Sequence, residues 1–242
     1  MKTMLVAGGT GGVGEAVVRA LIEAGHCVVV PSRSDARLAR LRSDVAERRG
    51  AGTLVTVAGE IGTPAGATAI RDRIARDHGS LDVAIPSLGG WWEGALGRVT
   101  LREWDDVMHE MLRIHFVFAQ TFLPMLSAQR DGGRYLALGG GAAYHPIHNS
   151  ALVSIAAAAQ LMMTRAYRLE NEHPNVDILE LVIDGPVRTR ESEAVARDHW
   201  IRADDVGRIT RELAETGITN DPVTETRGPI VRMRPPHWNR LA

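Results

Sequence analysis

The chain has 242 residues, 45% of them hydrophobic and 24% charged, with 28 lysines and arginines against 29 aspartates and glutamates. That length and apolar content suit one α/β domain spanning residues 1–242. The net charge of −1 excludes a global pull toward nucleic acid or an anionic membrane, and no apolar run reaches membrane-spanning length.

In chain order, residues 4–7 read as a first strand, followed by the glycine-rich run Gly8-Gly9-Thr10-Gly11-Gly12-Val13-Gly14. Val17, Val18, Leu21 and Ile22 then recur at helical spacing, Gly25 supplies a stop, and residues 27–30 read as a second strand. A strand, a glycine turn and a helix N-terminus make an anion cradle. Glycines let the backbone approach a pyrophosphate, while unpaired N–H groups and the helix dipole face its charge. This context predicts a bound dinucleotide held by Gly8, Thr10, Gly11, Gly12, Val13 and Gly14.

A carboxylate at the end of the second strand marks NAD selectivity. Here Pro31-Ser32-Arg33 stands there, with Arg37 and Arg40 following. Arg33 and Ser32 suit a 2′-phosphate, so NADP(H) is expected over NAD(H). Asp35 is the residue that argues for a ribose hydroxyl instead, and Arg40 reads as part of a solvated helix face.

Further strands fall at residues 54–57, 81–85, 134–138, 177–183 and 229–233, alternating with helices at 63–78, about 100–127 and about 151–172. Thr100 and Glu103 form a capping box for the long fourth helix. The alternation predicts a Rossmann-type α/β fold, with a doubly wound, mainly parallel, seven-stranded sheet and helices on both faces. Cys27 is the only cysteine, so no disulfide forms within the chain, and the nine histidines fall in no metal-ligand spacing. The apolar run after Lys2 is too short for a secretory leader, and a cytoplasmic protein is expected.

Several spaced features, beyond the glycine turn, are similar to those of the short-chain dehydrogenase/reductase family over nearly the whole chain. They are Gly59-Glu60-Ile61, Leu81-Asp82-Val83, Trp104-Asp105, Leu123-Pro124, Thr164-Arg165 with Glu170, and Asp184-Gly185-Pro186-Val187-Arg188-Thr189. The resemblance implies that Glu60 and Ile61 contact adenine, and that Gly185, Val187 and Thr189 lie on the loop holding the nicotinamide carboxamide. Gly89 closes the counterpart of the family's Asn-Asn-Ala-Gly, here Pro86-Ser87-Leu88-Gly89. Asp184, where relatives carry proline, either bonds that carboxamide or caps a turn.

The family's proton-transfer set is Ser, Tyr, Lys and Asn. Alignment places Gly140 at the serine, Val153 at the tyrosine, Ala157 at the lysine and Met111 at the asparagine. None of these side chains transfers a proton. Lys2 is the only lysine, so no register restores Tyr-x-x-x-Lys. Tyr144 and His148 mimic that spacing, but Pro146 between them forbids a regular helix. These two remain candidate substitutes in acid/base work, with Ser87, Trp91, Trp92, Glu93, Tyr144 and His145 as candidate substrate-pocket residues. The paired tryptophans read equally as a flat wall for a small-molecule substrate or as a cap on core or subunit contact. His145 and His148 also read as plain loop surface, and His115 as a core or interface residue.

Three functions follow: an NADP(H)-dependent oxidoreductase on a small carbonyl or alcohol without the usual tetrad, an inactive NADP(H) sensor or regulatory subunit, or a non-redox enzyme on the same scaffold. The family's fourth and fifth helices pair across two-fold axes. The alanine- and methionine-rich segment 151–163 therefore predicts a homodimer or homotetramer.

Overall fold

Strand β1 (Thr3–Ala7) sits at the centre of the molecule and shows how the core is divided. Successive side chains on a strand point to opposite faces. Met4 and Val6 therefore join one apolar cluster, and Leu5 and Ala7 the other. The computed structural model describes residues 1–47 and 50–235.

The elements in order are β1, α1 (Gly12–Glu23), β2 (Cys27–Ser32), α2 (Asp35–Ala46), β3 (Thr53–Ala58), α3 (Pro64–His78) and β4 (Val83–Pro86). Then come α4 (Leu101–Met108), α5 (Ile114–Ser127), β5 (Gly133–Gly140), α6 (Ala151–Glu170) and β6 (Val176–Ile183). The chain continues through β7 (Val187–Arg188), β8 (Ile201–Arg202), α7 (Ala203–Thr216), β9 (Thr224–Arg227) and β10 (Ile230–Met233). The main sheet has the order β3-β2-β1-β4-β5-β6-β10-β9, parallel throughout except for β9 against β10. The order reverses at β1/β4, the point where such sheets open a ligand crevice beyond their carboxyl ends.

Helices α1, α2 and α7 bury their apolar residues against one face of the sheet, through side chains such as Val17, Leu21, Leu41, Val206 and Leu213. Helices α3 and α5 cover the other face with Ile70, Ile74, Phe118 and Phe122. The expected doubly wound fold is therefore present, with two corrections. The sheet has eight strands rather than seven, because Thr224–Arg227 pairs antiparallel along the edge of β10. Its composition, TETR, carries no apolar alternation, so only pairing reveals it.

The second correction concerns the long fourth helix. Its capping box is formed as predicted, but a five-residue π turn at His109–Arg113 separates α4 from α5. Such wide turns concentrate at functional positions. This one contains Met111, which lines the main cleft.

Candidate functional site

At the carboxyl ends of β1, β4, β5 and β6 lies a cleft of about 1330 Å³. One end is the glycine turn. Gly8 has φ +80°, a backbone that side chains rarely adopt, and a Cβ there would strike the Ser87 carbonyl. A Cβ on Gly14 would strike the Gly8 carbonyl in turn. Gly11 caps α1 without a side-chain acceptor, so the first-turn N–H groups have no side-chain partner at the cap. These are the physical requirements of a phosphate cradle.

Charge around the cradle is organised by Glu15, which is buried in the first turn of α1. It receives Arg40 at 2.6 Å and Arg190 at 3.3 Å. Arg40 also donates to the Thr10 carbonyl at 3.2 Å, so this exposed residue of the helix face, 42% accessible, is at the same time held at the glycine turn. Arg37, Arg40 and Arg190 all line the cleft, and Arg37 has no ion-pair partner among the described residues.

Arg33 does not line the cleft. Its side chain is 74% exposed and pairs with Glu60 at 3.3 Å. The Ser32 hydroxyl accepts the Ser34 N–H at 3.2 Å, Glu60 also accepts the Gly62 N–H, and Ile61 is buried in the core. Val13, Gly89, Gly185, Val187 and Thr189 line the cleft, together with Gly8, Gly11, Gly12 and Gly14. Thr10 is buried behind the turn.

The other half of the cleft is lined by Met111, Gly140, Val153 and Ala157, four side chains without a transferable proton. The fold thus brings these four positions to one cleft. The substitutes fare differently. Tyr144 does not line the cleft: its ring packs with Leu161, Val182 and Ile230, and the Arg232 guanidinium lies 4.5 Å over it. His148 is exposed and outside the cleft, whereas His145 lines it.

Ser87 and the exposed Trp91 line the cleft, with Trp91 Nε1 donating to Glu93 at 2.9 Å. Trp92 turns away and packs on Gly94, and Glu93 stays outside the lining. Asp184 is drawn to Arg232, whose Nε donates at 2.7 Å, so its carboxylate is committed to that pair.

Glu180 and Gln160 escaped the sequence reading, whereas His115 is the core residue it suggested. Glu180, 1% exposed, sits mid-strand in β6 with Oε2 unpartnered, and a side chain at Gly139 would run into its carboxylate. Burial pushes its pKa up to about 7, against the Thr164 hydroxyl and the Arg165 charge. Gln160 of α6 donates from Nε2 to the Leu138 carbonyl at 3.0 Å and lies 3.4 Å from Glu180 Oε1. An acid flanked by Leu179 and Leu181 in the middle of the strand VDILELVI was the available signal for Glu180. His115, fully buried, donates to the Leu88 carbonyl at 3.0 Å and so ties α5 to the β4 exit loop; burial lowers its pKa to about 4.

Among the described residues no cluster of three histidines, cysteines or acids is placed to hold a metal, and no helix is long and apolar enough to cross a membrane. A family model described as short chain dehydrogenase matches residues 2–200. The chain belongs to this family. Among short chain dehydrogenase relatives, it is 25% identical over 233 residues to the rhamnolipids biosynthesis 3-oxoacyl-[acyl-carrier-protein] reductase of Pseudomonas aeruginosa, covering 89% of this chain and 90% of that one. It is 26% identical over 204 residues to the pig (Sus scrofa) dehydrogenase/reductase SDR family member 4, covering 81% and 70%.

Solved structures show the same fold. An alcohol dehydrogenase from Thermococcus sibiricus, complexed with 5-hydroxy-NADP, superposes with TM-score 0.81 at 18% identity, covering 97% of this chain and 96% of that one. A Pseudomonas aeruginosa RhlG/NADP complex gives TM-score 0.81 at 20% identity, covering 96% and 94%.

Proposed function

We propose that this chain binds NADP(H) in the cleft and works as an oxidoreductase on a small carbonyl or alcohol substrate, without the proton-transfer set usual in its family. The observation that carries the reading is the asymmetry of the cleft. Its phosphate end keeps the glycine cradle and three arginines, while its other end is Met111, Gly140, Val153 and Ala157. Two solved neighbours hold NADP or a hydroxylated NADP, and that supports the cofactor class.

The nicotinamide cofactor, when bound, would give a hydride to a carbonyl or take one from an alcohol. The chain's residues then have three tasks. The α1 N-terminus and the glycine turn receive the pyrophosphate. Arg37, free of an acidic partner, takes the 2′-phosphate role expected of Arg33, because it lines the cleft and Arg33 does not. His145 exchanges the proton at the cleft wall, the position closed to Tyr144 and His148.

A thermal-shift titration tests the cofactor claim. NADPH is expected to raise the melting temperature more than NADH, and Arg37→Ala to weaken NADPH about tenfold with NADH unchanged. Tighter NADH binding by the wild type overturns the preference. Turnover with a carbonyl panel that falls in His145→Ala supports the proton role, and unchanged turnover removes it.

A second reading, a cofactor-sensing or regulatory subunit, is favoured by the emptied corner itself; cofactor binding with no hydride transfer to any of the panel would establish it. In either case we propose self-association. Phe116 (51% exposed) and Met162 (59%) border an apolar groove of about 920 Å³ between the π turn, α5 and α6. The double variant Phe116→Glu with Met162→Glu is expected to run as a monomer in light scattering where the wild type is a dimer or tetramer. A wild type that is already monomeric refutes this.

A further inference from the structure

The corner left by the proton-transfer set is not merely vacant of chemistry; it has walls of definite character. Met111, Val153, Ala157, Trp91 and Ile147 line it with apolar surface. Gln160, nine-tenths buried and one helical turn beyond Ala157 on α6, lines the same cleft with a polar group. The amide nitrogen of Gln160 is spent inward, on the Leu138 carbonyl and toward Glu180. Its Oε1 accepts no hydrogen bond among the described residues and is not an enclosed orphan, so it is the amide atom left accessible in the cleft.

We infer that this recess is a binding subsite for an apolar ring bearing a hydroxyl group, which stacks against Trp91 and donates its proton to Gln160 Oε1. Polarity decides the class. Relatives' serine and tyrosine would offer donors to a carbonyl oxygen. Gln160 Oε1 offers an acceptor, which rewards a ligand hydroxyl and itself gains nothing from a ligand carbonyl or ether. The rest of the recess rewards apolar area. Size agrees, because Gly140, Val153 and Ala157 are small enough to leave room for a ring. The inference rests on the proposed reading, in that the ring shares the cleft with the dinucleotide and names the alcohol side of the substrate class.

The test is equilibrium binding of 4-ethylphenol and of its methyl ether, 4-ethylanisole, to the full chain by calorimetry, with and without saturating NADP+. A phenol loses no hydride, so binding is read without turnover. The phenol is expected to bind about five- to tenfold tighter than the ether, the worth of one neutral hydrogen bond. Gln160→Met is expected to erase that preference, and Val153→Phe to abolish binding of both by filling the recess. Trp91→Ala is expected to weaken both probes alike.

Equal affinity of the two probes for the wild type overturns the inference, as does a Val153→Phe protein that still binds them. The wild-type comparison and Val153→Phe suffice if Gln160→Met fails to fold. Absence of NADP+ binding alongside normal phenol preference would defeat the cofactor reading and leave this subsite standing. NADP+ binding with no probe preference would do the reverse.

Discussion

Glu180→Gln is expected to change the pH dependence of stability more than any other single substitution in this protein. The Glu180 carboxyl is buried beneath Gly139, with burial raising its pKa from 4.5 to about 7. Below about pH 4.5 both native and unfolded chains carry it neutral, and its ionisation costs nothing. Between about pH 4.5 and pH 7 the unfolded chain releases the proton and the native chain keeps it, so stability falls as pH rises. The loss accumulates to about 3 kcal/mol near pH 7 and above.

A glutamine has no such dependence. The stability of Glu180→Gln relative to wild type should therefore rise by about 3 kcal/mol between pH 4.5 and pH 8, as read from urea denaturation at each pH. A constant difference would show that Glu180 titrates normally. His115 produces the opposite arm. Its native pKa is depressed from 6.5 to about 4, so stability is full above pH 6.5 and is lost as pH falls toward 4. Between about pH 4.5 and pH 6.5 the two slopes cancel, so these two groups together give the wild type a plateau centred near pH 5.5, and removing Glu180 should leave only the acid arm.

Gly8→Val is expected to abolish the NADPH-induced thermal shift. At about one hundred times the dissociation constant the wild type gains about 2.7 kcal/mol from ligand linkage. Valine at φ +80° costs about 1–3 kcal/mol of backbone strain, and its Cβ would press on the Ser87 carbonyl. The turn must then open, and the N–H groups of α1 lose their common target. Gly97→Val is the control, because a Cβ at Gly97 meets nothing within 4 Å. A normal shift in Gly8→Val would mean that the cofactor is not held at this turn.

Much of the architecture was legible because it is written in local rules. The strand–glycine–helix order of residues 3–23, the Thr100–Glu103 capping box and the apolar runs of β1, β2 and β6 are each set by near neighbours in the chain. What failed was equally physical. TETR at β9 has no apolar face and becomes a strand only because β10 offers an unpaired edge. The π turn around Met111 interrupts a sequence that reads as one continuous helix.

For the site, the sequence by itself determined which residue types are present: a glycine cradle, a single lysine at Lys2, and Gly140, Val153 and Ala157, whose side chains transfer no proton. Those are questions of identity and spacing, and no folding alters them. Tertiary structure alone decided which groups meet. Arg33 is drawn out to Glu60, Arg40 is paired with Glu15, Tyr144 is held under Arg232, and Gln160 is turned to Glu180. Each outcome depends on a partner between 20 and about 90 residues away, whose charge or burial wins over the local preference of the side chain. Helical spacing does not encode that competition; packing does.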